Sequence, residues 1–287
     1  MTSTTHSGAL FDVPGPHGRR RILVTSLAST AVILAIVVWG LVIFADHGQL
    51  AASRWRPFLG RGFVTFLWQG LLGTIKATVV AGVVAFPLAL GLALARLSRV
   101  KVVSWLATAW IEVFRAVPML LIVYAFLLFL PRPPLGLDLP LFWKLVVPMI
   151  ITSSASTAEV FRSGILAVDN GQWEASYSIG LTRHGAMRHV IVPQAIRLVV
   201  PSLINSLISL LKDSTLGFVV SYPELTQQGK VITTYTGLMI QTYLIVAAIY
   251  IVINLALSRV ATHLDASMRR RAQGASVAVE EESVAMA

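Results

Sequence analysis

The chain has 287 residues, 56% of them hydrophobic and only 13% charged, whereas soluble domains carry about 25% charged residues and about 45–50% apolar ones. With a mean hydropathy of +0.76, the composition excludes a fold enclosed in a charged, water-facing shell and makes lipid the solvent of the core. The formal net charge of +10 finds no polar domain on which to build a nucleic-acid stripe, and the absence of cysteine excludes disulfides, thiolate zinc sites and cysteine nucleophiles.

The pattern predicts an all-α integral membrane protein with about six spans, each needing about 20 apolar residues to cross the hydrocarbon. Residues 1–20 are rich in Ser, Thr, Gly and Pro and are expected to form a disordered tail. The first span runs from about Ile22 to Ala45; it is too long for a secretory signal and lacks a convincing small-x-small cleavage site, so residues 21–62 form an extra N-terminal helix and an outer loop. The second span lies within Phe63–Leu97. The third starts near Pro118 and stops at the turn from Pro131 to Pro134. The fourth covers about Phe142–Ile165, the fifth about Gln194–Leu211 and the sixth about Leu238–Val260. Residues 265–287 are expected to be a second disordered tail.

Placing both termini in the cytoplasm assigns fifteen Lys and Arg to inner segments, among them Arg19, Arg96, Arg99, Arg183 and Arg188, against seven in outer segments and Lys76 within a span. That bias satisfies the positive-inside rule.

The segment from Arg162 to Arg197 carries more pattern than an inner loop requires. Asp169 is placed to cap a short helix, with Gln172 completing a capping box. Gly180 suits the left-handed residue that ends that helix, and Thr182 begins a second helix reaching Pro193. Trp173 and Tyr177, four apart, share a face. Such a ridge rests in the lipid headgroup layer or anchors a soluble partner.

These residues carry a resemblance. Glu174–Ala175–Ser176, then Gly180, then Val190–Ile191–Val192–Pro193 has the spacing of the EAA motif of ABC-importer permeases, with Ser for the second Ala. The runs Glu159–Ile165, Gly171–Gln172, Pro193–Gln194–Ala195, Lys212–Leu216 and Phe114–Pro118 resemble the polar amino-acid subfamily. Leu10–Phe11–Asp12, Pro14–Gly15–Pro16 and Phe44–Ala45–Asp46 are similar to glutamate permease subunits of actinobacteria.

The resemblance implies a MetI-like type I importer core over residues 63–264, with a cytoplasmic coupling loop at about 166–193. It implies that Gln172, Trp173, Glu174, Ala175 and Gly180 meet an ABC ATPase dimer. That dimer would carry the ATP and magnesium, since this chain binds no cofactor and has no Walker A pattern: Gly229–Lys230 is followed by Val231. A second, paralogous permease chain, an extracellular substrate-binding protein and membrane lipid are the other expected partners, and a bacterial plasma membrane is the expected location.

Polar groups within spans are costly and tend to face cavities. Thr152, Ser153, Ser154, Ser156 and Thr157 line the fourth span above Glu159 and Arg162. Their hydroxyls satisfy the helix backbone or face cargo, and Glu159 pairs with Arg162 at i,i+3 or meets cargo. Asn205 and Ser206 on the fifth span, with Lys212, Asp213, Ser214 and Thr215 at its end, complete the expected substrate path beside Ser156 and Glu159. Relatives commonly have Glu where Ser206 stands, so its absence favours an acidic or neutral amino acid, L-glutamate foremost. Two other classes call for different features. An ion-coupled secondary transporter would show buried carboxylates and internal repeats, and an intramembrane metalloenzyme would need His ligands within the spans, yet all six histidines fall outside them.

Overall fold

The structure, a computed structural model, describes residues 15–285, with side chains for residue 15 and residues 17–264. Of the tail expected to be disordered at residues 1–20, residues 1–14 lie outside the described residues, while 16–20 form the first turns of a helix. Among the described residues every regular element is helical, and the chain divides into two units, residues 1–58 and 59–287.

The first unit holds α1 (Pro16–Asp46) and the short α2 (Ala52–Trp55). Pro16 stands in the first turn of α1, where its missing N–H costs no hydrogen bond. None of the side chains along the apolar window of α1 is buried. Lipid is the solvent that accepts such a surface. After α1, Gln49 anchors the turn, accepting from Arg54 at 2.8 Å through its side chain and from the Trp55 indole at 3.0 Å through its backbone carbonyl.

The second unit is built on α3 (Arg61–Arg96). Gly70, Thr74, Ala77, Thr78, Ala81, Gly82, Ala85, Ala89 and Ala93 recur at three- and four-residue intervals along one buried face. Small residues let backbones approach closely where lipid supplies no hydrophobic drive between helices, and this stripe receives α6 (Leu141–Leu166), α9 (Val192–Asp213) and α10 (Leu225–Thr236). One core cluster joins Ala77, Ala81, Val123, Leu145, Met149 and Leu210; another joins Ala89, Ala93, Ile111, Ala158, Phe161 and Val199.

The third span differs from its expected form. It begins earlier, with α4 (Lys101–Ala116), and continues after a bend of 96° in α5 (Met119–Tyr124) and a π-helical turn, Ala125–Phe129. Val117, held extended at ψ 124°, shows the cause: the ring of Pro118 disfavours helical backbone in the residue before it. Lys101, Glu112 and Arg115 interrupt the apolar pattern of α4 and hid it from a reading by hydropathy. Among the described residues, five long apolar helices, or six counting this bent pair, therefore have the length and composition to cross a membrane.

After α6 come α7 (Asn170–Ser178) and α8 (Arg183–Ala186). The sequence reading ends the second loop helix at Pro193, but α8 runs through a π-helical turn at Met187–Ile191 directly into α9, giving one helical stretch, Arg183–Val220, of 38 residues. A wide turn relieves the backbone next to a proline, which neither donates a hydrogen bond nor fits the turn before it. The end of that stretch is a tight 3-10 turn, Ser214–Val220, and Glu224 then caps α10. The last helix, α11 (Met239–Ala285), carries the backbone through the segment expected to be a disordered tail. Ala, Arg, Gln and Glu, frequent there, are good helix formers.

Candidate functional site

Two constellations stand out, a corner between α7 and α8 and a polar cavity where the third span breaks. At the corner, Gly180 has φ +81°, its N–H bonds to the Tyr177 carbonyl at 2.9 Å, and the Leu181 N–H reaches the Ser176 carbonyl at 3.1 Å. This pair of bonds is a Schellman end, which requires the left-handed residue that glycine adopts freely. Thr182 caps α8 as expected, accepting from the Gly185 N–H at 3.2 Å.

The capping box does not form. Asp169 accepts from the Gly171 N–H at 2.7 Å, while the Gln172 side chain accepts from Gln194 at 2.9 Å and so ties α7 to α9. A partner 22 positions away outcompetes the local one. The aromatic pair also divides its labour. Trp173 packs on the cluster of Ile165, Val168, Ile191 and Ala195, whereas Tyr177, with its ring centroid 6.2 Å away, is 47% exposed. Glu174, Ala175 and Gly180 are exposed beside it, and Ile179 projects at 76% exposure. A rigid corner thus presents Glu174, Tyr177 and Ile179 outward, held from beneath by Gln172 and Trp173.

The cavity encloses about 430 Å³. One wall is the break itself, with Arg115, Val117 and Pro118; α6 contributes Thr152, Ser153, Ser156 and Thr157; α9 contributes Ser206, Ser209 and Asp213. Thr152 and Ser206 spend their hydroxyls on the helix carbonyls of Pro148 and Ser202, at 3.0 and 3.2 Å. Ser153, Ser156 and Thr157 make no side-chain hydrogen bond among the described residues, and Arg115 has no acidic partner there. The site therefore combines a guanidinium, a carboxylate and unspent hydroxyls around a space of small-molecule size.

Of the residues expected on the substrate path, Ser156, Ser206 and Asp213 meet at this cavity. Asn205, Lys212, Ser214 and Thr215 do not line it; Ser214 is fully buried with its hydroxyl on the Leu211 carbonyl at 2.7 Å. Glu159 lies elsewhere. Arg96 reaches one of its oxygens at 2.6 Å and Arg162 the other at 2.9 Å, while Arg96 also contacts Glu112 at 3.0 Å. That is the ion-pair alternative, enlarged by a partner on α3. Lys76 stands 5.1 Å from the centroid of the Phe142 ring, a cation–π contact.

Arg115, which its place beside Pro118 suggests as a residue shaping the inner end of the third span, also lines the cavity, whereas Glu224 carries no expectation from the sequence. Glu224 is fully buried and accepts from the Thr226 and Gln227 N–H groups at 2.8 and 2.6 Å. A carboxylate preceding the amphipathic run Leu225–Lys230 is the signal that could have revealed it.

Residues 85–270 match the family described as the binding-protein-dependent transport system inner membrane component. The chain belongs to that family. It is 36% identical over 202 residues to the probable glutamine ABC transporter permease protein GlnM of Bacillus subtilis, covering 70% of this chain and 93% of the relative. It is 29% identical over 229 residues to the glutamate transport system permease protein GluD of Corynebacterium glutamicum, covering 79% and 84%. Among solved structures, an amino acid ABC transporter crystallised with histidines superposes with a TM-score of 0.67 at 36% identity, over 73% of this chain and 95% of that one. The protein is a multi-pass inner-membrane permease of the amino-acid ABC importers, with the MetI-like fold. Both of these relatives are named as permease proteins.

Proposed function

We propose that the chain is one half of the membrane pathway of an ATP-driven L-glutamate importer. The polar cavity at the break of the third span carries this reading. A zwitterionic amino acid offers a carboxylate to Arg115 and an ammonium group to Asp213, and the free hydroxyls of Ser156 and Thr157 supply neutral hydrogen bonds between them. Ser206 keeps a further negative charge out of the wall, which favours an acidic side chain over a cationic one. The similarity to a glutamate permease points the same way.

Energy comes from a separate ATPase that holds ATP and magnesium and seats the Glu174–Tyr177–Ile179 face of the corner. With both termini in the cytoplasm, that corner faces the cytosol. An external binding protein delivers cargo, and a paralogous permease supplies the other half of the pathway. Closure of the ATPases moves the two halves between inward- and outward-open states.

The test is uptake by proteoliposomes containing both permeases, the ATPase and the binding protein. ATP-dependent accumulation of labelled glutamate ahead of glutamine, arginine and histidine is the expected result, with Arg115→Gln and Asp213→Asn each raising KM. Preference for arginine overturns the cargo, and uptake driven by an ion gradient without ATP overturns the mechanism.

A further inference from the structure

A second cavity, of about 610 Å³, lies between the end of α3 and the start of the long helix that follows the corner. Leu94, Leu97 and Arg99 form one side; Arg183, His184, Met187 and Arg188 form the other. Positions 183, 184, 187 and 188 fall in one stripe of a helix, so their shared direction is set by the period of the backbone. Three guanidinium groups thus converge, and no acidic residue lines the space.

The charge here is not consumed by the fold. Arg96 and Arg162, close by in sequence to Arg99 and to the corner, are spent on Glu112 and Glu159. Arg99 and Arg188 have no side-chain hydrogen bond or ion pair among the described residues, and Arg183 makes only a long contact of 3.5 Å to the Leu97 carbonyl. Like charges gathered without counter-ions repel one another, and an anion between them removes that cost.

The surroundings specify the kind of anion. Leu94, Leu97 and Met187 pack on the apolar cluster of Ile165 and Ile191, giving the cavity a greasy, fixed floor. Immediately after Arg99 the chain exposes Val100, Val102, Trp105 and Leu106 at 58%, 66%, 67% and 56%. That surface suits acyl chains, and a tryptophan at such a level suits the headgroup boundary. A dissolved phosphate would use the guanidinium groups and leave the apolar surface idle. A phospholipid uses both.

We propose that this cavity holds the phosphate of an anionic phospholipid from the leaflet on the coupling-corner side. The headgroup bridges α3 and α8, the two sides of the cavity, with its chains against Leu94 and the exposed face of α4. The identification of that leaflet as the cytoplasmic one rests on the orientation proposed above; the lipid contact itself does not.

The test uses the permease complex, purified in detergent, supplied with phosphatidylglycerol or phosphatidylcholine and read by native mass spectrometry. The wild type should retain phosphatidylglycerol in preference, and millimolar inorganic phosphate should not displace it. Replacing Arg99, Arg183 and Arg188 together by Gln should weaken retention about fivefold per cation, on the order of a hundredfold for three. The corresponding Lys variant should keep most of it, which separates lost charge from lost folding. Replacing Arg54, Arg56 and Arg61 by Gln should leave retention unchanged. Equal retention by the two Gln variants, or no preference between lipids in the wild type, overturns the proposal. So does full displacement by inorganic phosphate. Loss of ATPase co-purification in the cavity variant with lipid retention intact would instead make this an acidic protein contact and also overturn it. Retention is read without transport, so an uptake failure in proteoliposomes bears on the importer reading alone.

Discussion

The Tyr250 hydroxyl donates to Glu224 at 3.0 Å, so the residue that starts α10 is also fastened to α11. Thr74 on α3 joins the same knot, its hydroxyl accepting from the Leu225 N–H at 3.1 Å. Burial pushes the Glu224 carboxyl up to about 7, against the opposing pull of the Thr226 and Gln227 N–H groups and the Tyr250 hydroxyl. The folded protein therefore favours the neutral acid. Its contribution is complete below the usual carboxylate range and is lost as pH rises through about 7, an effect on the order of 3 kcal/mol. Thermal unfolding in nanodiscs should show a Tm that falls from pH 5 to pH 8, and Glu224→Gln should flatten that slope. Parallel slopes for the two proteins would refute the assignment.

At Gly164, α6 lies so near α9 that there is no room for a side chain. A Cβ there would lie 2.3 Å from Val199 Cγ1 and 3.2 Å from the Ala195 carbonyl. Gly164→Ala should destabilise by about 1–3 kcal/mol, as overpacking does. Val199→Ala removes the nearer clash, so the double variant should be more stable than the sum of the two single losses, by about 0.5–3 kcal/mol. Additive losses in detergent unfolding curves would show that the helices separate rather than clash.

The Glu159 carboxylate holds Arg96 and Arg162 together, with 19% of its side chain exposed. Glu159→Ala leaves two half-buried guanidinium groups short of a partner. Stability should drop by about 1–3 kcal/mol, less than for a fully buried pair because water reaches the arginines. Uptake KM should stay within about twofold, since the carboxylate lies off the cavity wall. A large rise in KM with unchanged stability would return Glu159 to the cargo path.

At Gly180 the constraint is backbone alone, since no atom lies within 4 Å of the place a Cβ would occupy. Asn tolerates the left-handed region while β-branched residues do not. Gly180→Asn should keep most of the ATP-dependent uptake, whereas Gly180→Val should abolish it at normal abundance in the membrane. Normal uptake by the Val variant would separate the corner from energy coupling.

What was legible in the chain was whatever local chemistry fixes. Apolar run length located the long spans, Gly180 marked its own positive φ, and Thr182 its cap. What was not legible depends on partners far along the chain. Gln172 reads as half of a capping box until Gln194 approaches it from α9. Glu159 and Arg162 read as a pair until Arg96, 63 positions earlier, completes the network. The cavity is harder still, for Arg115 gains its place only because Val117 turns extended before Pro118, a bend that hydropathy does not register.

The uninterrupted passage from α8 through the Met187–Ile191 turn into α9 has a mechanical meaning. Thirty residues separate Arg183 from Asp213, about 45 Å of helix at the usual rise, and no loop intervenes. The corner and the cavity wall therefore share one continuous helix, with the Met187–Ile191 turn, Pro193 and Pro201 as its points of give. In the importer proposed above, tilting the corner end of this helix by a few degrees would carry Asp213 through several ångströms, with the small-residue stripe of α3 as the surface it moves against.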